Sequence, residues 1–573
     1  MASKRECKRS SITRKIGMLR WLKLISIFFI SLQLFTKVVN ADVVSTQVVA
    51  GNSSPTITVT PAESTESSSS TPTNVGSNVT WTVTATDSNS ENYYLAVCST
   101  NAVTPTNGGA PTCNATQYCV SSSTASGAQA TCNRTALVGD SEVNAWYAFV
   151  CDGNASSASC SASGNQGTGA TGSPFEVNHA PGFTVYAEDG PDDPGGNIIF
   201  TSTAADTDTS AVSDTVTLVV CKTTGISAGD CDGGPTDRWC VSSASASNPT
   251  CTYTLPTPTA DAAYNAYGYV LDSHNFGSTS GTQGSNDAFT VNNIAPVVSS
   301  VSINSGAAID LTEGTTTGVV LGATVTDNNG CSGGELATVY GYAYRSDLAF
   351  AGCDTAGESN SNRCYSEVTC SVSGASCTGA TDASATYECT ANIQYYADPT
   401  DTATLYPGSN WLSTVKVTDD DTLTHNTQVA SGVEMNSLTA LDVTASINYG
   451  SLNIGESNDP LDKVTTVTPT GNVGIDTELY GPAFMCTDYP TCAGNTIAIN
   501  YVKYALSTST AYASGASLST TPTEVELNVP KDITGSPTTK DIWWGIQIPS
   551  GTIPGSYTGA NTVGAYKGET GGW

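Results

Sequence analysis

The chain has 573 residues, of which 20 are basic and 51 acidic, and its formal charge at pH 7 is −31. A surface of this kind repels nucleic acid and anionic lipid head groups, so we predict no nucleic-acid partner. The sequence also lacks the P-loop, dinucleotide, GxSxG and HExxH motifs, which favours a protein that is not an enzyme.

The first predicted element is a signal peptide at residues 1–41. Basic residues precede an apolar run at 24–35, and small residues at Val39 and Ala41 suit a signal peptidase. The run is short for a membrane span, and Lys37 interrupts its tail, which argues against an uncleaved anchor. We therefore predict a secreted chain, extracellular or at the cell surface, with no membrane insertion of the mature part.

Two kinds of strand recur along the mature chain, and both end at an aspartate. In residues 78–87, Val79, Trp81 and Val83 alternate with threonines, which is the period of a half-buried strand. The early strand recurs at 198–206 and 319–327, and a late strand is predicted at 144–152, 264–272 and 411–419. Helical periodicity is almost absent, so the pattern is typical of antiparallel β-sandwiches.

A unit of about 115–120 residues repeats and sets the domain boundaries. The frame of residues 98–181 returns at 221–296, and each copy ends in Ala-Pro. We predict immunoglobulin-like domains at 42–178, 179–293 and 294–438, and a separate C-terminal β domain at 439–573.

The strand ends carry a family resemblance. Strands that end in Thr-Asp or Ala-Asp, followed by a connection that begins Val-Asn and closes Ala-Pro, resemble tandem cadherin-like and PKD-like repeats of secreted bacterial and archaeal surface proteins. The resemblance covers about residues 55–435, and the last domain resembles the C-terminal β domains of such proteins more loosely. It implies an all-β tandem array of immunoglobulin-like antiparallel β-sandwich domains.

The cysteines predict that these domains are stapled by disulfide bonds. After the leader, which holds Cys7, they fall into blocks of even number, as expected in an oxidising compartment. Short loops favour pairing of sequence neighbours in the two four-cysteine groups, although three connectivities are possible for each. Cys151 and Cys160 are predicted to pair, because both are missing from the second unit. The predicted half-cystines are Cys98, Cys113, Cys119, Cys132, Cys151, Cys160, Cys221, Cys231, Cys240, Cys251, Cys331, Cys353, Cys364, Cys370, Cys377, Cys389, Cys486 and Cys492.

The aspartates at the strand ends are candidate calcium ligands. The loops after the second and sixth strands of a sandwich lie at the same end, so the early and late aspartates of each unit are expected to meet. Carboxylates that converge without a nearby lysine or arginine suit Ca²⁺. The predicted ligands are Asp87, Asp152, Asp206, Asp208, Asp272, Asp327, Asp419 and Asp421.

Another interpretation of these aspartates stays open, because they could instead close Asx-turns. For the cysteines, zinc binding is disfavoured as an alternative to disulfides, because the chain has no CxxC pair and only three histidines. By resemblance to cadherin-like junctions, Asn178-His179 and Asn292-Asn293 could add ligands between domains.

Surface chemistry is suggested by sequons and paired aromatics. Asn52, Asn78, Asn114, Asn133 and Asn154 begin potential glycosylation sequons. The pairs Trp543-Trp544 and Tyr395-Tyr396 could stack on a sugar, but adjacent strand residues point to opposite faces, so at most one of each pair is expected to be exposed.

The hypothesis that follows is a non-catalytic structural or adhesive surface protein. Its partners would be other copies of itself, as in a surface layer, or a cell-surface protein or glycan. An array of carbohydrate-binding modules is the alternative, and a secreted hydrolase ranks last.

Overall fold

The computed structural model describes residues 48–208 and 214–573. The predicted signal peptide and Cys7 lie outside the described residues. Ser54–Trp573 form one compact unit, which is all-β and in which strands pair within four segments: sandwich 1 (54–178), sandwich 2 (179–293), sandwich 3 (294–438) and sandwich 4 (439–573). A search of the described residues for a long apolar helix that could cross a membrane finds none.

Sandwich 1 packs two antiparallel sheets, β1-β3-β8 and β10-β4-β7, around Trp81, Trp146 and Phe175. The rings of Trp81 and Phe175 meet edge to face at 5.5 Å between centroids. Its strands are β1 Thr56–Glu63, β2 Thr73–Asn74, β3 Asn78–Thr86, β4 Tyr93–Cys98, β5 Val103–Thr104, β6 Thr112–Cys113, β7 Gln117–Val120, β8 Gln129–Thr135, β9 Val143–Asn144, β10 Tyr147–Asp152 and β11 Phe175–Asn178.

Sandwich 2 repeats this arrangement with sheets β12-β13-β18 and β17-β14-β20-β21 around Phe200 and Phe289. Its strands are β12 Gly182–Glu188, β13 Asn197–Ala205, β14 Val216–Cys221, β15 Ile226–Ser227, β16 Asp230–Cys231, β17 Arg238–Val241, β18 Cys251–Thr254, β19 Ala263–Tyr264, β20 Tyr267–Asp272, β21 Ser285–Asn286 and β22 Phe289–Thr290.

In sandwich 3 one seven-stranded sheet, in the order β23-β24-β27-β26-β25-β28-β29, folds over so that its two ends meet. The closing contact is made by Val298, whose backbone N donates to His425 Nδ1 at 3.0 Å and whose carbonyl accepts from Thr427 Oγ1 at 2.8 Å. The strands are β23 Val297–Ile303, β24 Thr316–Thr326, β25 Leu336–Arg345, β26 Cys364–Val372, β27 Ser384–Gln394, β28 Trp411–Asp419 and β29 Thr424–Gln428.

Sandwich 4 is built from sheets β30-β31-β38-β35-β36, β37-β32-β40 and β34-β33-β39 around the buried Trp544. Its strands are β30 Leu441–Val443, β31 Lys463–Pro469, β32 Ile475–Tyr480, β33 Phe484–Cys486, β34 Thr496–Ile497, β35 Val502–Ala505, β36 Ala516–Ser517, β37 Thr523–Val529, β38 Lys540–Ile546, β39 Tyr557–Thr558 and β40 Thr562–Lys567. Short 3₁₀ turns occur at Gly169–Thr171, Gly234–Thr236, Asn304–Gly306, Phe350–Gly352, Ala356–Glu358, Ile499–Tyr501, Tyr512–Ser514 and Thr570–Gly572.

The late strand predicted at 144–152 is interrupted, and so is its counterpart at 264–272. β9 pairs with β11, whereas β10 pairs with β4 in another sheet, so the chain changes sheets at residues 145–146. Trp146 lies at this step and is fully buried. Only the third copy, Trp411–Asp419, is one continuous strand as predicted.

Nine disulfide bonds join the eighteen predicted half-cystines within the described residues. The two four-cysteine groups pair sequence neighbours, as predicted, and Cys151 bonds Cys160. The third block does not follow this rule, because β26 and β27 lie side by side and bring Cys370 to Cys389. The remaining bonds are Cys331–Cys377, Cys353–Cys364 and Cys486–Cys492.

Glu63 is a buried acid in sandwich 1 and is 2% exposed. Its carboxylate accepts hydrogen bonds from Trp146 Nε1 at 2.9 Å and from the Ser67 backbone N at 3.1 Å. Burial raises the pKa of Glu63 from 4.5 to about 8, with both hydrogen bonds opposing the rise and the charge of Glu176 adding to it. At neutral pH, Glu63 is therefore mostly protonated in the folded chain and ionised in the unfolded chain.

We expect sandwich 1 to lose stability as the pH rises from about 5 to about 8, because the folded state binds more protons than the unfolded state in this interval. Each pKa unit corresponds to about 1.4 kcal/mol, so the free energy of unfolding at pH 7 should be about 3 kcal/mol lower than its value below pH 5. Glu63→Gln should remove most of this pH dependence in calorimetric scans, and the exposed Glu388→Gln in sandwich 3 should not. An unchanged pH profile in Glu63→Gln would contradict the assignment.

Candidate metal centres at the ends of three sandwiches

The aspartates that follow the early strands each use one carboxylate oxygen locally. Oδ1 of Asp87, Asp206 and Asp327 accepts the backbone N–H two residues ahead at 2.7–2.8 Å. This is the Asx-turn that the sequence left open. Oδ2 of each is buried and has no hydrogen-bond partner among the described residues. The turn therefore accounts for one oxygen and leaves the other directed to the interior of the site.

The end cluster of sandwich 1 consists of Asp87, Glu91 and Asp152, whose ligand atoms lie within 4.8 Å of one another. Asp87 is 5% exposed and Asp152 1%. Glu91 Oε1 accepts Asn154 Nδ2 at 2.8 Å, while Glu91 Oε2 is buried without a partner in the described part of the chain. The predicted meeting of Asp87 with Asp152 is therefore seen, with Glu91 as a third acid.

The cluster of joint 1–2, where sandwich 1 meets sandwich 2, contains more acids. Asp206, Asp208 and Asp214 form one group within 4.8 Å, and Asp214, Asp272 and His274 form another. Burial raises the pKa of Asp206 to about 6, and the charges of Asp208, Asp214 and Asp272 add to the rise. The pKa of Asp272 is raised as well, first by burial. Excess negative charge is thus concentrated at this joint.

The linker between the sandwiches takes part in this cluster. Asn178 Nδ2 donates to Asp272 Oδ2 at 2.8 Å, and the His179 backbone N donates to Asp208 Oδ2 at 2.6 Å. His179 Nδ1 lies 2.8 Å from Asp208 Oδ1, so both oxygens of Asp208 hold the linker. Asn178 Oδ1 is fully buried and, within residues 48–208 and 214–573, has no hydrogen-bond partner.

The cluster of joint 2–3, where sandwich 2 meets sandwich 3, consists of Asp261, Asp327, Glu335, Asp419 and Asp420. Burial raises the pKa of Asp327 to about 6 and that of Glu335 to about 7, and the neighbouring acids add to both rises. Asp261 comes from sandwich 2, so the cluster spans the joint. This cluster differs from the other two. Within the described segments, it has no three acids whose ligand atoms all lie within 4.8 Å of one another.

The second linker repeats the contacts of the first. Asn293 Nδ2 donates to Asp419 Oδ2 at 3.1 Å, and the Ile294 backbone N donates to Asn329 Oδ1 at 2.8 Å. Asn329 Nδ2 also donates to the Asn292 carbonyl at 2.9 Å. The oxygens Asn293 Oδ1, Asp327 Oδ2 and Glu335 Oε1 are buried and lack a partner in the described residues.

The donor set fits a hard divalent cation. Buried, unpartnered carboxylate and amide oxygens carry a desolvation cost that hydrogen bonds do not offset, and Ca²⁺ coordinates such oxygens. Sequence reasoning missed Asp214, Asp261, Glu335 and His274. A signal was available in the sequence, because an acid lies one or two residues before β4, β14 and β25. These acids are Glu91, Asp214 and Glu335. Asp421 is exposed beside Asp261.

The other predicted surface sites are placed as follows. Asn78, Asn114 and Asn133 are exposed, whereas Asn52 and Asn154 are partly buried. Trp544 lies in the core and Trp543 is half-buried on the opposite face of β38, as strand alternation predicts. Tyr396 is buried, whereas Tyr395 is half-buried and its hydroxyl donates to Asp532 Oδ2 at 2.6 Å.

Comparison with known proteins gives fold-level likeness alone. No family model and no curated protein matches the chain. Solved structures that resemble it include a marsupial T cell receptor (9% identity, covering 64% of this chain and 100% of that one, TM-score 0.23). Others are the FN1–FN3 domains of chicken CNTN1 (8% identity, 68% and 100% coverage, TM-score 0.18) and dimeric latent PorU from Porphyromonas gingivalis (11% identity, 71% and 35% coverage, TM-score 0.15).

The immunoglobulin-like fold assignment therefore stands on the strand pairing described above. The relation to cadherin-like or PKD-like repeats, and a bacterial or archaeal origin, stay predictions.

Proposed function

We propose that the chain is a non-catalytic, secreted structural or adhesive protein of a cell surface, whose sandwich domains are stiffened by Ca²⁺ at their joints. The observation that carries this proposal is the set of buried, unpartnered oxygens that recurs at the ends of three sandwiches. Secretion is supported by the disulfide bonds in all four sandwiches, which persist in oxidising compartments.

The mechanism is mechanical. At joints 1–2 and 2–3, an asparagine of the linker contacts the aspartate at the end of β20 or β28. A cation bound there would be shared by the linker and the following sandwich, so that bending the joint would require loss of ligands. Without it, the carboxylates repel one another and oppose the same geometry.

Adhesion and assembly follow from this stiffness. A row of sandwiches with fixed angles presents the same lateral surface in every copy, as a surface layer or a projecting stalk needs. The partners we propose are other copies of the chain or a cell-surface protein or glycan. In each aromatic pair one residue, Trp543 or Tyr395, is half-buried and leaves part of its ring for the glycan-binding alternative.

Chelation tests the proposal. The mature full-length chain would be compared in Ca²⁺, in Mg²⁺ and in EDTA by small-angle scattering and by calorimetry. A cation at 100 times its dissociation constant stabilises by about 2.7 kcal/mol, so we expect EDTA to lower the melting temperature by several degrees and broaden the distribution of molecular lengths. Mg²⁺ should substitute poorly, because its octahedral preference suits these crowded sites less well. Identical scattering and melting in Ca²⁺ and EDTA would remove the cation from the function.

A further inference from the structure

Joint 3–4, where sandwich 3 meets sandwich 4, has the same linker contacts as joint 2–3. The Leu438 backbone N donates to Asn472 Oδ1 at 2.6 Å, and Asn472 Nδ2 donates to the Asn436 carbonyl at 3.0 Å. These bonds match those of Ile294 and Asn292 with Asn329 at joint 2–3. The linker residue that corresponds to Asn178 and Asn293 is therefore Ser437.

Strand register identifies the residue that faces Ser437. At the ends of β10, β20 and β28, an aspartate pairs with the first residue of β4, β14 or β25. The pairs are Asp152 with Tyr93, Asp272 with Val216 and Asp419 with Leu336. In sandwich 4 the same register pairs Ile475, the first residue of β32, with Lys567. A lysine thus stands where the other sandwiches have an aspartate.

The other acids of the cluster are replaced as well. Asp327 lies two residues before Asn329, and the residue two before Asn472 is Thr470. Asp214 lies two residues before the start of β14, and the residue two before β32 is Val473, which is fully buried. At these three positions joint 3–4 has one lysine and no acid.

The Lys567 ammonium binds one oxygen of the linker and one oxygen of sandwich 3. Nζ donates to Ser437 Oγ at 2.9 Å and to the Thr402 carbonyl of sandwich 3 at 3.1 Å. Ser437 Oγ in turn donates to Asp401 Oδ1 at 2.7 Å, and the Ser437 backbone N donates to Asp401 Oδ2 at 3.0 Å. One side chain of sandwich 4 therefore holds both the linker and the preceding sandwich.

We infer that Lys567 is a built-in cation that takes the place of the divalent ion at joint 3–4 and makes this joint independent of metal. The comparison with the other joints rests on the proposed function, whereas the role of Lys567 at its own joint does not. The chain would then combine two joints that respond to the cation concentration with a terminal joint that stays locked.

Hydrogen exchange of the full-length mature chain tests the inference, with the linker amides of His179, Ile294 and Leu438 as reporters. In the wild type we expect chelation with EDTA to accelerate exchange at the first two and to leave Leu438 unchanged. Lys567→Met should accelerate exchange at Leu438 by about tenfold or more, in Ca²⁺ and in EDTA alike, since two charge-assisted hydrogen bonds are lost. Lys567→Arg should retain much of the protection, and the exposed Lys540→Met is the matched control.

The reverse substitution gives an independent measure. Thr470→Asp and Lys567→Asp combined, with the buried Val473 retained, should make exchange at Leu438 respond to EDTA. The inference is overturned if EDTA accelerates Leu438 exchange in the wild type, or if Lys567→Met exchanges like the wild type at Leu438. If no linker amide responds to EDTA, the proposed function fails, and the Lys567→Met result still decides the role of the lysine.

Discussion

Replacing Asp327 by asparagine is expected to change stability in opposite directions with and without Ca²⁺. In EDTA, the substitution removes a buried charge from a group that includes Asp419 and Glu335, and the new amide can donate to those acids. The Asx-turn survives, because the side-chain carbonyl can still accept from the Asn329 backbone N. The metal-free variant should therefore melt above the metal-free wild type.

In saturating Ca²⁺ the same variant should melt below the wild type, because one ligand is lost. A stabilisation of about 3 kcal/mol, which corresponds to a cation at about 100 times its dissociation constant, would largely disappear. Calorimetry in both buffers measures the two differences, and the exposed Glu388→Gln in the same sandwich controls for net charge. Melting temperatures that shift in the same direction in both buffers would rule out Asp327 as a ligand.

Lys531→Met is expected to weaken joint 3–4 by about 3–5 kcal/mol, the range found when one partner of a buried ion pair is removed. Lys531 is 6% exposed. Its Nζ lies 3.1 Å from Asp398 Oδ1 and donates to Asn362 Oδ1 at 2.8 Å. Arg345 also pairs with Asp398, so the acid keeps one cationic partner and the loss should fall near the lower value.

Calorimetry and limited proteolysis of the full chain would measure this effect. We expect sandwich 4 to melt separately from sandwich 3 in Lys531→Met, with new cleavage near residues 530–536, and no such change in the exposed Lys540→Met. If sandwiches 3 and 4 of the variant still melt in a single transition, the Lys531 contacts do not stabilise joint 3–4.

Local features of the sequence were enough to predict the all-β fold, the aspartates at the strand ends and the sequential disulfides. Each depends on residues close together in the chain: the alternation around Trp81 marks a strand, and Cys119 closes a short loop to Cys132. The pairing of Cys370 with Cys389 was not assigned in advance, since it requires knowing that β26 and β27 are neighbours.

The amino-acid sequence alone thus determined an all-β, disulfide-bonded protein with an aspartate at the end of each recurring strand. Only the folded chain shows which oxygens lack partners and how Asp214 and Glu335 join the clusters. It also shows that Lys567 takes the strand position that Asp272 has in sandwich 2. The physical reason is that these relations depend on pairing between strands far apart in sequence, such as β32 with β40, and local periodicity carries no information about it.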